Sequence, residues 1–139
     1  MASKDMDLLT PAIALAKLAA AEARRLNVKL TLCVTDLHGN VILKHRMTGS
    51  NLISLEMAER KAYAVAALHM KTSDMSAKSL PGEPFHILMA AAGDKYWIDG
   101  GGVPFLIKGE LVAGFGVSGG SVAQDVAVAE AATKAFDKR

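Results

Sequence analysis

Lys29-Leu30-Thr31-Leu32-Cys33-Val34-Thr35 runs through Asp36-Leu37-His38-Gly39-Asn40 into Val41-Ile42-Leu43-Lys44-His45-Arg46, and this stretch decides the class of fold. Its first seven residues alternate with period two, Leu30, Leu32 and Val34 on one face and Thr31, Cys33 and Thr35 on the other, which is the pattern of a strand. The central five supply turn residues and the last six follow as a second strand opened by Val41-Ile42-Leu43, so the whole reads as a hairpin. Strands joined by a tight turn are antiparallel. That excludes a doubly wound parallel sheet at the outset.

Upstream, Thr10-Pro11 predicts a helix start, because a Thr hydroxyl can accept from a free N–H and Pro at the first helical position has none to lose. Leu15, Leu18, Ala19, Ala23 and Leu26 then recur at helical spacing, and Asn27 suits the end. Downstream, a second helix is expected from about Ser54 to Leu68 along Leu55, Ala58, Ala62, Val65 and Ala66. Thr72 to Leu80 suits a short helix broken by Pro81-Gly82-Glu83-Pro84, and Phe85 to Ala92 fits helix or strand equally. Lys95-Tyr96-Trp97-Ile98 reads as a short strand. Val103 to Ile107, a turn at Lys108-Gly109-Glu110, and Leu111 to Val117 form a second hairpin, with Pro104 at a strand start or edge because it cannot donate to a ladder. Ser121-Val122-Ala123-Gln124 is a capping box opening a last helix that turns Val122, Val126, Ala129, Ala132 and Phe136 inward. This order makes an α+β fold of helices on an antiparallel sheet, in one domain over residues 1–139.

Composition narrows the function classes. In 139 residues, 51% hydrophobic content supplies one core, and 16 basic against 14 acidic side chains leave a net charge of +2, without the basic stripe of a nucleic-acid binder. Lys17, Glu22 and Arg24 interrupt the apolar stretches, so no membrane span is expected, and Met1-Ala2-Ser3-Lys4-Asp5 does not read as a secretory signal. Cys33 is the single cysteine, which excludes an internal disulfide and suits a reducing, cytoplasmic setting. The alanine-rich surface is compatible with a homo-oligomer.

Two glycine clusters bracket the second hairpin. Gly116-Val117-Ser118-Gly119-Gly120 leads from a strand into the helix opened by Ser121, where close backbone approach, free N–H groups and a positive dipole end favour an anionic group. The bland alternative is a tight strand-to-helix turn, and the residues weigh the two evenly. Gly116, Ser118 and Gly120 also fit the letters of a nucleophile elbow, but no histidine follows Ser118, and neither common nucleotide motif is present. Gly100, Gly101 and Gly102 with Pro104 form the second cluster, either a bulge or one wall of a shared cleft. Asp99 and Asp125 sit at its mouth or serve as caps.

Lys61 falls beside the apolar stripe of the second helix. It is either a snorkelling amine or, together with Arg46, half of a carboxylate-binding pair, in which case Lys61 or Asp125 moves a proton as the candidate catalytic residue. His38, His45, His69 and His86 show no helical pairing, so no dedicated metal site is expected. One histidine in an apolar pocket is enough for a haem iron.

Val34 to Asn40, Arg46-Met47, Arg60 to Ala64, Gly100 to Pro104, and Gly114 to Gly120 followed by Asp125 together resemble the GlcG/HbpS-like, or haem-degrading domain, family, which includes the C-terminal domain of PduO-type proteins. The resemblance implies a profilin-like sandwich with a five-stranded antiparallel sheet, homo-oligomeric assembly, and haem or another tetrapyrrole as ligand. It also implies a histidine ligand on the first helix, but Pro11 to Leu26 contains none, which moves that expectation to His69 or His45. Thr48 stands where the family often has an acidic residue. Three roles follow: a small-ligand protein binding haem, an enzyme of small organic acid catabolism, or a non-catalytic partner in a catabolic pathway.

Overall fold

The computed structural model describes residues 6–139, and the reading of Met1 to Asp5 lies outside them. Helix α1 spans Leu9–Arg25. Its start is served by Asp7, whose carboxylate accepts from the Leu9 amide at 2.9 Å and the Thr10 hydroxyl at 2.8 Å, so Thr10 lies inside the helix and is not its cap. A carboxylate is the stronger acceptor for an unpaired helix amide, and Pro11 is tolerated because it still falls in the first turn. Asn27 closes the helix in the left-handed region with φ 58°.

The hairpin of residues 29–46 becomes β1 (Thr31–Thr35) and β2 (Val41–Arg46). The second hairpin becomes β3 (Gly102–Ile107) and β4 (Glu110–Ser118), turned through Lys108 and Gly109 at φ 52° and 79°. Positive φ at both central residues belongs to the turn whose twist matches antiparallel strands. All pairings are antiparallel, in the order β2-β1-β4-β3.

Among the described residues the sheet therefore has four strands, and the expected fifth at Lys95–Ile98 is absent. A single 3-10 turn occupies Gly93–Lys95, and Tyr96 then packs edge-on against Tyr63 with ring centroids 5.3 Å apart. Two features close the outer edge of β3 to another strand. Pro104 has no N–H, and the Thr72 hydroxyl accepts from the Gly102 amide at 2.9 Å.

Helix α2 (Ile53–Leu68) covers one face of the sheet, while α1 and α5 (Val122–Asp137) cover the other. β1 is consequently buried on both faces: Leu32 and Val34 join the core with α1 and α5, and Cys33 packs against Ala58 and Ala62. Helix α2 lies unusually close to β4, because a Cβ on Gly114 or Gly116 would run into the carbonyl oxygens of Ala62 and Ala58. Short helices α3 (Thr72–Ala77) and α4 (His86–Ala92) fill the connection, resolving the ambiguity of 85–92 as helix.

The inward face of α5 holds at Ala129, Ala132 and Phe136 but differs from expectation at its start. Val122 is 50% exposed, whereas Asp125, Val128, Ala129 and Ala132 are buried. The helix is rotated so that a carboxylate, and not an apolar side chain, enters first.

Candidate functional site

That carboxylate meets Lys61. From the sheet side of α2, Lys61 Nζ donates to Asp125 Oδ2 at 3.0 Å and to the Val117 carbonyl at 2.8 Å, with 2% and 4% of the Lys61 and Asp125 side chains exposed. The Gly120 amide donates to Asp125 Oδ1 at 2.9 Å. Burial pushes the Asp125 carboxyl above its ordinary value, opposed by the adjacent ammonium and the Gly120 amide. Gly101 admits this arrangement: its φ is +127°, and a Cβ there would lie 2.5 Å from the Val117 oxygen and 2.9 Å from Lys61 Nζ. Its own carbonyl accepts from the Val117 amide at 2.9 Å.

The two glycine clusters are thus brought together, with a buried ion pair filling the space between them. Gly100, Gly101 and Gly102 are all buried, and Gly100 lies under Val126 and Val122 of α5. Gly116 serves the approach of α2. Ser121 accepts from the Gln124 amide at 3.1 Å, and Gln124 accepts from the Ser121 amide at 2.9 Å, so the capping box read from the sequence is present and engages Ser121. Pro104 lines a groove of about 220 Å³ on the outer edge with Lys71 and Glu130.

Arg46 is not brought to Lys61. It pairs across β1 with Thr31, which in turn faces Ser118, placing Arg46 two strand spacings, roughly 10 Å, from β4. Its guanidinium instead donates to the Ser50 carbonyl at 2.6 Å. Below it lies a second polar cluster that the sequence reading missed. Ser54 Oγ is 2.7 Å from both Thr31 Oγ1 and Ser50 Oγ, and all three residues are buried. Strand alternation places Thr31 on the α2 face, but only the tertiary fold shows which hydroxyls it meets.

The opposite end of the sheet carries the largest cleft described, about 530 Å³, between the start of α1, the β1–β2 turn and the start of β4. Leu8, Leu9, Leu37, Ile42 and Leu111 supply apolar wall, and His38 lines it. The sequence test for paired histidines could not single out His38, because its neighbours come from elements far apart in the chain. His38, His45 and His69 are all exposed, His45 on β2 and His69 at the end of α2, where it adopts φ 59°; of the three only His38 lines this cleft. Among the described residues no three His, Cys, Asp or Glu gather as a metal site, and no helix is long and apolar enough to cross a membrane.

The sequence model of the family described as haem degrading protein, HbpS-like, matches residues 9–134. The chain belongs to the HbpS-like family. Relatives within reach of this HbpS-like chain include an uncharacterised 15.0 kDa protein from the dhaT-dhaS intergenic region of Citrobacter freundii, 31% identical over 98% of this chain and 99% of that one. The corrinoid adenosyltransferase PduO of Salmonella typhimurium is 32% identical over 88% of this chain. The match spans only 37% of PduO. Among solved structures, that of a PduOC:heme complex superposes with a TM-score of 0.86 at 31% identity, covering 94% of each chain.

Proposed function

We propose that this HbpS-like protein binds haem or a closely related tetrapyrrole in the cleft at the start of α1, with His38 as the axial ligand, and that it works as a homo-oligomer. The observation that carries the reading is the likeness, over nearly the whole chain, to a PduOC:heme complex. The residues present fit such a group. The cleft falls in the range of small-ligand sites, its walls are largely aliphatic, and one imidazole lines it, which is the minimum that axial ligation needs. The resemblance asks for a histidine on the first helix, and α1 has none. His38, in the β1–β2 turn, lines the same cleft as Leu8 and Leu9 and brings an imidazole to the start of that helix.

The acidic residues of the cleft set the orientation. Asp7, Asp36 and Glu110 line it with no Lys or Arg, so the propionates belong outward in water, with the macrocycle edge against the leucines. Asp7 already caps α1, and Asp36 accepts from the His38 and Asn40 amides at 2.9 Å each, which holds the turn that presents His38. Bound haem would supply redox and dioxygen chemistry, the protein supplying its position and surroundings.

The test is titration of purified protein with haemin, following the Soret band. Saturation near one haem per chain is expected, with His38→Ala losing the ligated spectrum and His45→Ala and His69→Ala retaining it. Absence of a saturable shift would overturn tetrapyrrole binding, and an unchanged spectrum in His38→Ala would overturn the assignment of the ligand.

A further inference from the structure

Helix α4 is His86-Ile87-Leu88-Met89-Ala90-Ala91-Ala92, seven residues without a Lys, Arg, Asp or Glu, and none of them is buried. Among the described residues it packs against no other helix or strand and meets only the 3-10 turn of Gly93–Lys95 that follows it. Phe85, Met89 and Ala92 are half-buried and mark its inner side, whereas Ile87, Leu88 and Ala91 form an outer stripe at helical spacing, Ile87 being 78% exposed. Leu80, 61% exposed, adjoins the start of the helix, where the His86 ring lies 3.0 Å from the Ser79 carbonyl. Trp97, also exposed, shares a notch of about 130 Å³ with Met89. A helix of two turns is too short to hold itself in water and depends on having an apolar face covered. Here that face is turned outward.

Size and charge point to the occupant. The exposed apolar surface of Leu80, Ile87, Leu88, Trp97 and the α4 alanines amounts to roughly 500 Å², the upper end of what a monomer leaves open. One side of a stable dimer interface buries about 800 Å², a little over half of it apolar, so this patch supplies what one side needs. Lys78, whose ammonium sits 5.8 Å from the centre of the Phe85 ring, and Glu83 flank the start of α4, while Asp94 and Lys95 flank its end. Among the described residues none of these four takes part in an ion pair. A surface with a charge of each sign at either end is complementary to a copy of itself turned end for end. It does not match a membrane, because an interfacial helix relies on Lys and Arg along its polar face and α4 has neither.

We infer that a second copy of this chain covers α4, the two helices lying antiparallel across a two-fold axis with Ile87 and Leu88 of each against the outer stripe of the other. The inference rests on the homo-oligomer of the proposed function and names its surface; it leaves the haem cleft, which none of these residues lines, untouched. Antiparallel pairing sets Ile87 opposite the partner's Ala91, and the small side chains of Ala90 and Ala91 let the two backbones approach. It also brings Lys78 toward the partner's Asp94 and Glu83 toward the partner's Lys95. A parallel pairing would set each charge beside its own copy.

The experiment is sedimentation velocity on the full chain at micromolar concentration, with a parallel pelleting assay on vesicles of phosphatidylglycerol and phosphatidylcholine. The wild type is expected to be an oligomer that does not pellet with the vesicles. Ile87→Glu combined with Leu88→Glu should halve the measured mass and weaken self-association at least ~100-fold, because it asks the centre of the interface to bury unpaired carboxylates. Both positions are exposed, so the urea midpoint of the dilute, dissociated chain should match that of wild type under the same conditions. Lys95→Glu should weaken association several-fold, and adding Glu83→Lys to it should restore the loss, a rescue that a merely structural defect would not show. A double glutamate variant that assembles as wild type would overturn this surface and leave the homo-oligomer reading standing, whereas a monomeric wild type would overturn both. A monomer that pellets with the vesicles would overturn the second copy as the occupant, and a Lys95→Glu defect that Glu83→Lys deepens would overturn the antiparallel pairing.

Discussion

Replacing Lys61 with methionine removes the ammonium and keeps most of the stem, so it isolates the buried pair. With 2% of Lys61 and 4% of Asp125 exposed, water cannot replace the lost partner. The variant would leave the Asp125 carboxylate with only the Gly120 amide at 2.9 Å, and would take from the Val117 carbonyl its bond to Nζ. Breaking a buried pair from one side costs about 3–5 kcal/mol. For a domain of this size that lowers the melting temperature by roughly 10–15 °C. The sign of the pH dependence follows from Asp125. Burial already raises its carboxyl above 3.8, and without Lys61 the opposing effect is gone, so the folded variant holds its proton more tightly than the unfolded chain. The associated stability is fully present below the unfolded value and is lost as pH rises through the folded one. The deficit of Lys61→Met should accordingly be larger at pH 8 than at pH 5, as measured by urea denaturation. Adding Asp125→Leu should recover part of the loss, because an apolar pair no longer buries an uncompensated charge. A loss under about 1 kcal/mol at pH 8, or a deficit that is independent of pH, would refute the argument that the two side chains form one buried pair.

Three further outcomes follow. Burial pushes the Cys33 thiol from 9.0 up to about 12, so alkylation at pH 8 should stall in the native protein and proceed in urea; the stability tied to that withheld proton is complete below pH 9 and declines above it. Gly116→Ala drives a Cβ into the Ala58 carbonyl and should cost about 1–3 kcal/mol by lifting α2 from the sheet, visible in denaturant melts. Ser121→Ala removes the hydroxyl that accepts from the Gln124 amide, leaves the half of the box donated by its own backbone amide, and should cost about 1 kcal/mol, with fraying at the start of α5 seen by amide exchange.

The fold was legible wherever local chemistry decides it. Period-two alternation, the turns at Asp36–Asn40 and Lys108–Gly109, and the Ser121–Gln124 box each act within a few residues, and each appears in the structure. Lys95–Ile98 failed because a short aromatic run has no strand without a partner edge, and the Tyr63 contact and the Thr72 hydroxyl take that place. The inward face of α5, right at Ala129, Ala132 and Phe136, fails at Val122 for a related reason. A stripe drawn from apolar residues cannot foresee that Asp125 lies on the buried side, since what makes its burial tolerable is a lysine sixty-four positions earlier in the chain.

The same pairing changes the meaning of the glycine-rich segments. Glycine lets backbone approach something closely, and from sequence that something can be a ligand or the protein itself. At Gly101, Gly114 and Gly116 it is the protein: Val117 and Lys61, Ala62, and Ala58 occupy the space a side chain would need. Once these glycines belong to packing, the anion-binding potential of the region no longer rests on them. The capping box likewise claims Ser121 for the helix. The tetrapyrrole reading then stands at the far end of β1 with His38, away from the Lys61–Asp125 pair, so His38→Ala should change haem binding while leaving the stability effect of Lys61→Met intact.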